Sequence, residues 1–255
     1  MALLEIENIS QLFGGLRAVY DFSVHLEPGQ MCGLIGPNGA GKTTIFNLVS
    51  GFYQPTSGTI VFNGRKTAGM KPHQITSLGI ARTFQNIRLW NDMTVLENIM
   101  VSHHSNLGYG LWGSVMRSGN YVRRENGITK EAISILEALD LRTYAEERPK
   151  NLPYGLRRRV EIARALSINP ALLMLDEPAA GLNTADLTGL IDLIRRIHHE
   201  FKLTVWMIEH QMQVVMSLCE WIQVVDFGQT IAVGTPEDIR NNPAVIKAYL
   251  GDDLI

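Results

Sequence analysis

Short apolar runs punctuate the sequence at 31–35, 171–175, 203–208 and 221–225. Runs of this length with almost no polar face predict strands covered on both sides, as in a parallel sheet. Between them the spacing changes to three and four. Leu187, Leu190, Ile191, Ile194 and Ile197 line one face of a helix over 184–200, and helical spacing also marks 72–79, 94–101, 129–141 and 212–220. Thr94 stands where it can cap the helix at 94–101. Another helix starts near Leu156 and carries Val160, Ile162, Ala163 and Leu166, while 236–250 reads as two short helices around Asn242-Pro243. The N-terminal segment keeps a different rhythm. Leu4, Ile6 and Ile9, then Val19, Phe22, Val24 and Leu26, fall roughly two apart and predict half-buried antiparallel strands. A strand at 59–62 should end in a tight turn at Asn63-Gly64, and 80–85 should be a short strand with a polar exit. Glycines alternate with Tyr109, Trp112 and Tyr121 across 103–128 without a period, which predicts an irregular insertion.

Composition adds limits. Hydrophobic residues make up 45% and charged residues 19% of 255, enough to bury a core. A net charge of −2 gives no electrostatic reason to expect nucleic acid as a partner. Cys32 and Cys219 lie far apart without metal-ligand spacing and are expected to be small buried residues in a reducing compartment. Residues 1–7 lack the basic start and apolar core of a signal peptide, and no apolar run reaches the ~18 residues that span a bilayer. A soluble, cytoplasmic chain is expected.

The strand at 31–35 leads into Gly36-Pro37-Asn38-Gly39-Ala40-Gly41-Lys42-Thr43-Thr44, and an apolar helix can follow from Ile45. This is the pattern G-x-x-x-x-G-K-[ST] in its strand–loop–helix setting, a phosphate loop. Glycines let backbone N–H groups approach phosphates, Lys42 adds a positive charge near the β- and γ-phosphates, and the Thr43 hydroxyl can bind Mg²⁺. A nucleoside triphosphate is the expected ligand. The strand at 171–175 ends in Asp176-Glu177, where Asp176 can hold Mg²⁺ and Glu177 can polarise an attacking water. Alone, such a pair of acids would more often be structural; beside a phosphate loop it gains a role. The strand at 203–208 ends in Glu209-His210, and a histidine at that edge can meet a γ-phosphate or hold the acid in place. Phe13-Gly14-Gly15 alone reads as a turn with a packed aromatic, and Arg157-Arg158-Arg159 as a solvated face.

In order and spacing, the phosphate loop, Gln85, Leu152-Pro153-Tyr154-Gly155-Leu156, Asp176-Glu177 and His210 resemble an ABC-transporter ATP-binding cassette over essentially the whole chain. The stretch 159–166 looks like the helix after that family's signature loop. Four finer features resemble the LivG-like ATPase subunits of branched-chain amino acid importers: the insertion, the signature tyrosine, Ala179-Ala180-Gly181-Leu182-Asn183, and the ending 234–243. The resemblance implies an α/β P-loop NTPase of one domain, 1–255, with a mostly parallel RecA-like core sheet. An N-terminal antiparallel β subdomain (1–30 with about 56–66), a helical subdomain (about 90–166) and a helical tail (about 235–255) would surround that sheet. It implies ATP and Mg²⁺ as cofactors, with Phe13 stacking on adenine and Gly36, Pro37, Asn38, Gly39, Ala40, Gly41, Lys42, Thr43 and Thr44 binding nucleotide. Glu177, His210 and Gln85 would be catalytic, and Thr43, Gln85 and Asp176 would serve the metal. Pro153, Tyr154, Gly155 and Leu156 would face the ATP of a second cassette, of the same chain or a different one. Integral membrane permease subunits, and through them an extracytoplasmic solute-binding protein, are the other implied partners, at the inner face of the cell membrane.

Two positions depart from the family's pattern. The common signature reads L-S-G-G-Q, so Pro153 removes a hydroxyl and an N–H. A hydrogen bond to a charged group is worth about 1.5–3 kcal/mol, so one lost bond weakens that half-site by one or two decades. Gly155 and the helix start still offer donors. Asn183 stands where many cassettes carry an aspartate, removing a charge from the seam between cassettes. Other readings remain: an ATPase of lipid or lipopolysaccharide export, a non-transport cassette, or a weakly hydrolysing regulatory cassette paired with a different one.

Overall fold

The computed structural model describes residues 2–103 and 119–250. It divides the chain into two compact units, 1–85 with 171–255, and 86–170. In the first unit three of the apolar runs, 31–35, 171–175 and 203–208, become adjacent parallel strands. Strand β3 (Met31–Ile35), β7 (Leu172–Asp176) and β8 (Thr204–Ile208) are buried at every position. They belong to a six-stranded sheet of order β10-β9-β3-β8-β7-β6, with β6 at Ile80–Arg82, β9 at Trp221–Asp226 and β10 at Gln229–Gly234. Only the β9–β10 pair is antiparallel, so the sheet is mostly parallel, as expected. The carboxyl ends of β3, β7 and β8 therefore meet at one edge, where ligands of such sheets bind.

The alternating N-terminal pattern forms a second sheet of order β2-β1-β4-β5, all antiparallel, from β1 (Leu4–Phe13), β2 (Leu16–Leu26), β4 (Ser57–Phe62) and β5 (Arg65–Lys66). Leu4, Ile6, Ile9, Phe22 and Leu26 are fully buried, in one core with Phe46 of the helix Lys42–Val49 and Trp206 of β8. The tight turns are two-residue hairpins: Asn63 and Gly64 both have positive φ between paired Phe62 and Arg65. Cys32 and Cys219 are buried, and desolvation pushes both thiols up, Cys219 to about 12.

Helix Thr184–Phe201 packs its apolar stripe through Leu187, Leu190, Ile194 and Ile197. Asn183 is its N-cap: the side chain accepts from the Asp186 amide at 2.9 Å. The residue noted for a missing charge thus has a local duty that asparagine performs as well as aspartate. Asn183→Ala is expected to lower stability by about 1 kcal/mol, read as a shift of the urea midpoint at constant slope. An unchanged midpoint would remove the cap from the account.

The second unit is helical: Val95–His103, Gly119–Ala138 and Tyr154–Leu166. Thr94 caps the first reciprocally, accepting from the Glu97 amide while its own amide donates to the Glu97 carboxylate. Helix Gly119–Ala138 starts ten residues before the periodic segment expected at 129–141, inside the stretch read as irregular, and ends before Leu139 and Leu141, which pack as buried residues beyond it. The glycines obscured the start, since residues 119–128 carry few apolar positions from which to read a period. The rest of the predicted insertion, 104–118, lies outside the described residues. The arginine run is not one solvated face either. Arg158 is 1% exposed and pairs with Glu161 at 2.7 Å, because position 158 falls on the buried side of its helix.

Candidate functional site

Beyond β3 the chain turns through Gly36–Thr44 into the helix Lys42–Val49. Backbone geometry dictates the glycines. A Cβ at Gly36 would sit 2.0 Å from the Val225 carbonyl oxygen; at Gly41, whose φ is +100°, it would lie 2.5 Å from that of Ala18. Lys42 is 5% exposed, and its Nζ donates to the Gly36 and Pro37 carbonyls at 2.7 and 2.8 Å. An ammonium has three donors, so one stays available to an anion. Burial lowers the Lys42 pKa, while the charges of Glu177 and Asp176 oppose the shift.

A cleft of about 410 Å³ opens over this loop, within the range of small-molecule sites. Residues 38–44 form its floor; Glu177 and His210 stand on its rim, as do Phe13, Leu16, Arg17 and Phe227. Most of the predicted nucleotide residues thus surround one space. Phe13 ends β1, is half-exposed, and is supported by Tyr53 in an edge contact at 5.2 Å. Thr43 is exposed on the floor.

Glu177 follows β7 with φ +48°, a strained conformation for a residue with a long side chain, fixed by its amide donating to Ile208 O of β8. Its carboxylate is held from both sides. His210 Nε2 lies 2.7 Å from Oε1, and Gln85 Nε2 donates to Oε2 at 2.7 Å. An ionised carboxylate only accepts, so Nε2 of His210 carries the proton toward it. About four lone-pair sites on the carboxylate leave room for water as well.

Asp176 lies behind the cleft lining. It is 3% exposed, and its Oδ2 meets the Arg82 guanidinium at 2.7 Å. Arg82, at the end of β6, also donates to Asn47 Oδ1 and Ser50 Oγ of the loop helix. Among the residues expected to serve a hard cation, the oxygen donors are the Thr43 hydroxyl, the Gln85 amide oxygen and the Asp176 oxygen not bonded to Arg82. Sequence reading overlooked Arg82 and underused Glu209. Glu209 is 1% exposed; its carboxylate accepts from the amides of Ala179, His210 and Gln211 at 2.7, 2.9 and 3.1 Å, tying the loop after Glu177 to the loop that carries His210. Desolvation raises its pKa despite these bonds. The only sequence signal for either was an ionisable residue at the end of a buried strand.

The signature segment lies in the helical unit. Pro153 is the N-cap of helix Tyr154–Leu166, and the first intrahelical bond runs from Arg157 N to Pro153 O. An N-cap amide is not a helix donor, so Pro153 costs its own helix no ladder bond. The amides of Tyr154, Gly155 and Leu156 form the helix's first turn, outside its own ladder. Pro153 still supplies no side-chain cap.

The model of the ABC transporter family matches residues 19–180, and that of the branched-chain amino acid ATP-binding cassette transporter matches 229–254. The chain is 44% identical, over 98% of both chains, to the high-affinity branched-chain amino acid transport ATP-binding protein LivG of Escherichia coli (strain K12). It is also 44% identical to BraF of Pseudomonas aeruginosa, again over 98% of both. The probable LivG of Archaeoglobus fulgidus is 37% identical over 98% of this chain and 96% of that protein. Among solved structures, the ADP conformation of an ATP-binding cassette of an ABC transporter superposes with a TM-score of 0.86 at 29% identity, covering 99% of this chain and 100% of that one. A nucleotide-free cassette gives 0.84 at 31%, with the same coverage.

Proposed function

Since the chain belongs to the ABC transporter family, we propose that it is the ATP-hydrolysing subunit of an importer for branched-chain amino acids. Among the described residues no helix is long and apolar enough to cross a membrane. The chain would act peripherally on integral permease subunits, which receive the amino acid from an extracytoplasmic solute-binding protein. The substrate class rests on the relatives' names and on the family match at 229–254.

One observation carries the hydrolytic reading: Glu177 on the rim of the phosphate-loop cleft, gripped through both oxygens by Gln85 and His210. Inward amides and Lys42 would hold the triphosphate. Glu177 would orient a water in line with the γ-phosphorus and take its proton as the new P–O bond forms and the bond to the β-phosphate breaks. His210 would keep Glu177 in place by donating from Nε2. Mg²⁺ entering with the phosphates would neutralise their charge, with Thr43, Gln85 and Asp176 as its protein oxygens. The amides of residues 154–156 would reach the γ-phosphate of a second cassette, so that ATP favours the paired state and hydrolysis releases it.

The test is transport. The chain is purified with the membrane subunits that retain it, sealed into liposomes with ATP inside, and given solute-binding protein outside. ATP-dependent uptake of leucine, isoleucine or valine is expected. Failure to associate with membrane subunits, or uptake of another solute class alone, would overturn the proposal.

A further inference from the structure

The hairpin between β9 and β10 carries an aromatic residue in an unusual setting. Asp226 pairs with Gln229, so Phe227 and Gly228 form a two-residue turn, and both have positive φ, +44° and +77°. Such a turn favours Asn, Asp or Gly at its first position; a bulky side chain there is strained. The Phe227 side chain recovers nothing inside the protein, for it is 85% exposed. The backbone beneath it is held on two sides. Gly228 N donates to Ala40 O of the phosphate loop at 3.0 Å, and Gly228 O accepts from Tyr20 N of β2 at 2.8 Å. A Cβ at Gly228 would lie 2.7 Å from Ala18 O, so the turn sits flush on β2. An exposed ring is thus presented on a rigid mount attached to the loop itself.

The cleft that Phe227 borders is lined by two kinds of side chain. Lys42, Thr43, Thr44, Glu177 and His210 are polar or charged; Phe13, Leu16 (70% exposed) and Phe227 are apolar, with Arg17 also on the lining. A nucleoside triphosphate offers a partner to each kind, charged phosphates and a flat base.

We infer that Phe227 contacts the base and ribose of bound ATP, as a second aromatic wall beside Phe13. The inference rests on the reading of this cleft as the ATP site. Ring burial against the nucleotide supplies the return that the exposed, strained position lacks in the chain alone.

Phe227→Asn separates this role from folding, because asparagine suits the turn better than phenylalanine. The variant should melt at the wild-type temperature or above it. ATP affinity, measured by titration calorimetry, should fall about five- to tenfold for partial loss of one buried ring. Affinity for inorganic tripolyphosphate, which has no base or ribose, should stay within about twofold of wild type, as its contacts lie at the loop. Phe227→Gly should behave alike. Unchanged ATP affinity, or equal weakening of ATP and tripolyphosphate, would overturn the role of Phe227 and leave the site standing. A wild type that binds neither ligand would overturn the reading of the cleft, and this inference with it.

Discussion

Glu177→Gln is expected to lower ATP turnover by about 10²–10⁴-fold, the contribution of a positioned general base, with ATP affinity retained. The substitution keeps size and removes charge. Two donors, His210 Nε2 and Gln85 Nε2, converge on the carboxylate from opposite oxygens. An amide offers them one acceptor and one competing donor, so one grip is lost together with the base. Phosphate release gives the rate and equilibrium titration the affinity. Binding without hydrolysis should also prolong the ATP-bound pair of cassettes, seen as an ATP-dependent increase in mass on light scattering. Wild-type turnover in the variant would remove Glu177 from the chemistry.

Arg82→Leu should lower the free energy of unfolding by about 3–5 kcal/mol, because it strands a buried carboxylate. The pair with Asp176 is 2.7 Å long, with side chains 6% and 4% exposed. The same guanidinium joins the end of β6 to the loop helix through Asn47 and Ser50 and lies 5.1 Å from the Phe84 ring centroid. Urea denaturation measures the loss. Adding Asp176→Asn removes the stranded charge and should restore part of the stability, a coupling that simple cavity formation would not produce. A midpoint unchanged by Arg82→Leu would show that the pair is not what secures this corner of the sheet.

Where one face or both faces of an element are apolar, the fold could be read from the sequence. The buried runs gave β3, β7 and β8, and the alternating N-terminal positions gave the antiparallel sheet. The start of helix Gly119–Ala138 was hidden because its first turns carry few apolar side chains, so that no period could be read. At the site, the phosphate loop announced itself by local spacing, since backbone approach to phosphate demands glycine wherever it occurs. Arg82, Glu209 and Phe227 could not be read in the same way. Arg82 matters through a partner 94 residues away, and Glu209 through amides on another loop. Phe227 matters through exposure, which no local pattern encodes. At Pro153 the structure adds what the letter could not show: as N-cap it costs the helix no ladder bond, and the amides of residues 154–156 stand in the first turn.

If the loop at 36–44 holds the triphosphate of ATP, titration of Mg-ATP into the purified chain, beside Lys42→Ala, will show it. One ATP per chain is expected in the wild type, with affinity at least about tenfold weaker in the variant, since a charge-assisted contact to phosphate is removed. Equal binding by both proteins, or binding by neither, would rule the loop out as the triphosphate site.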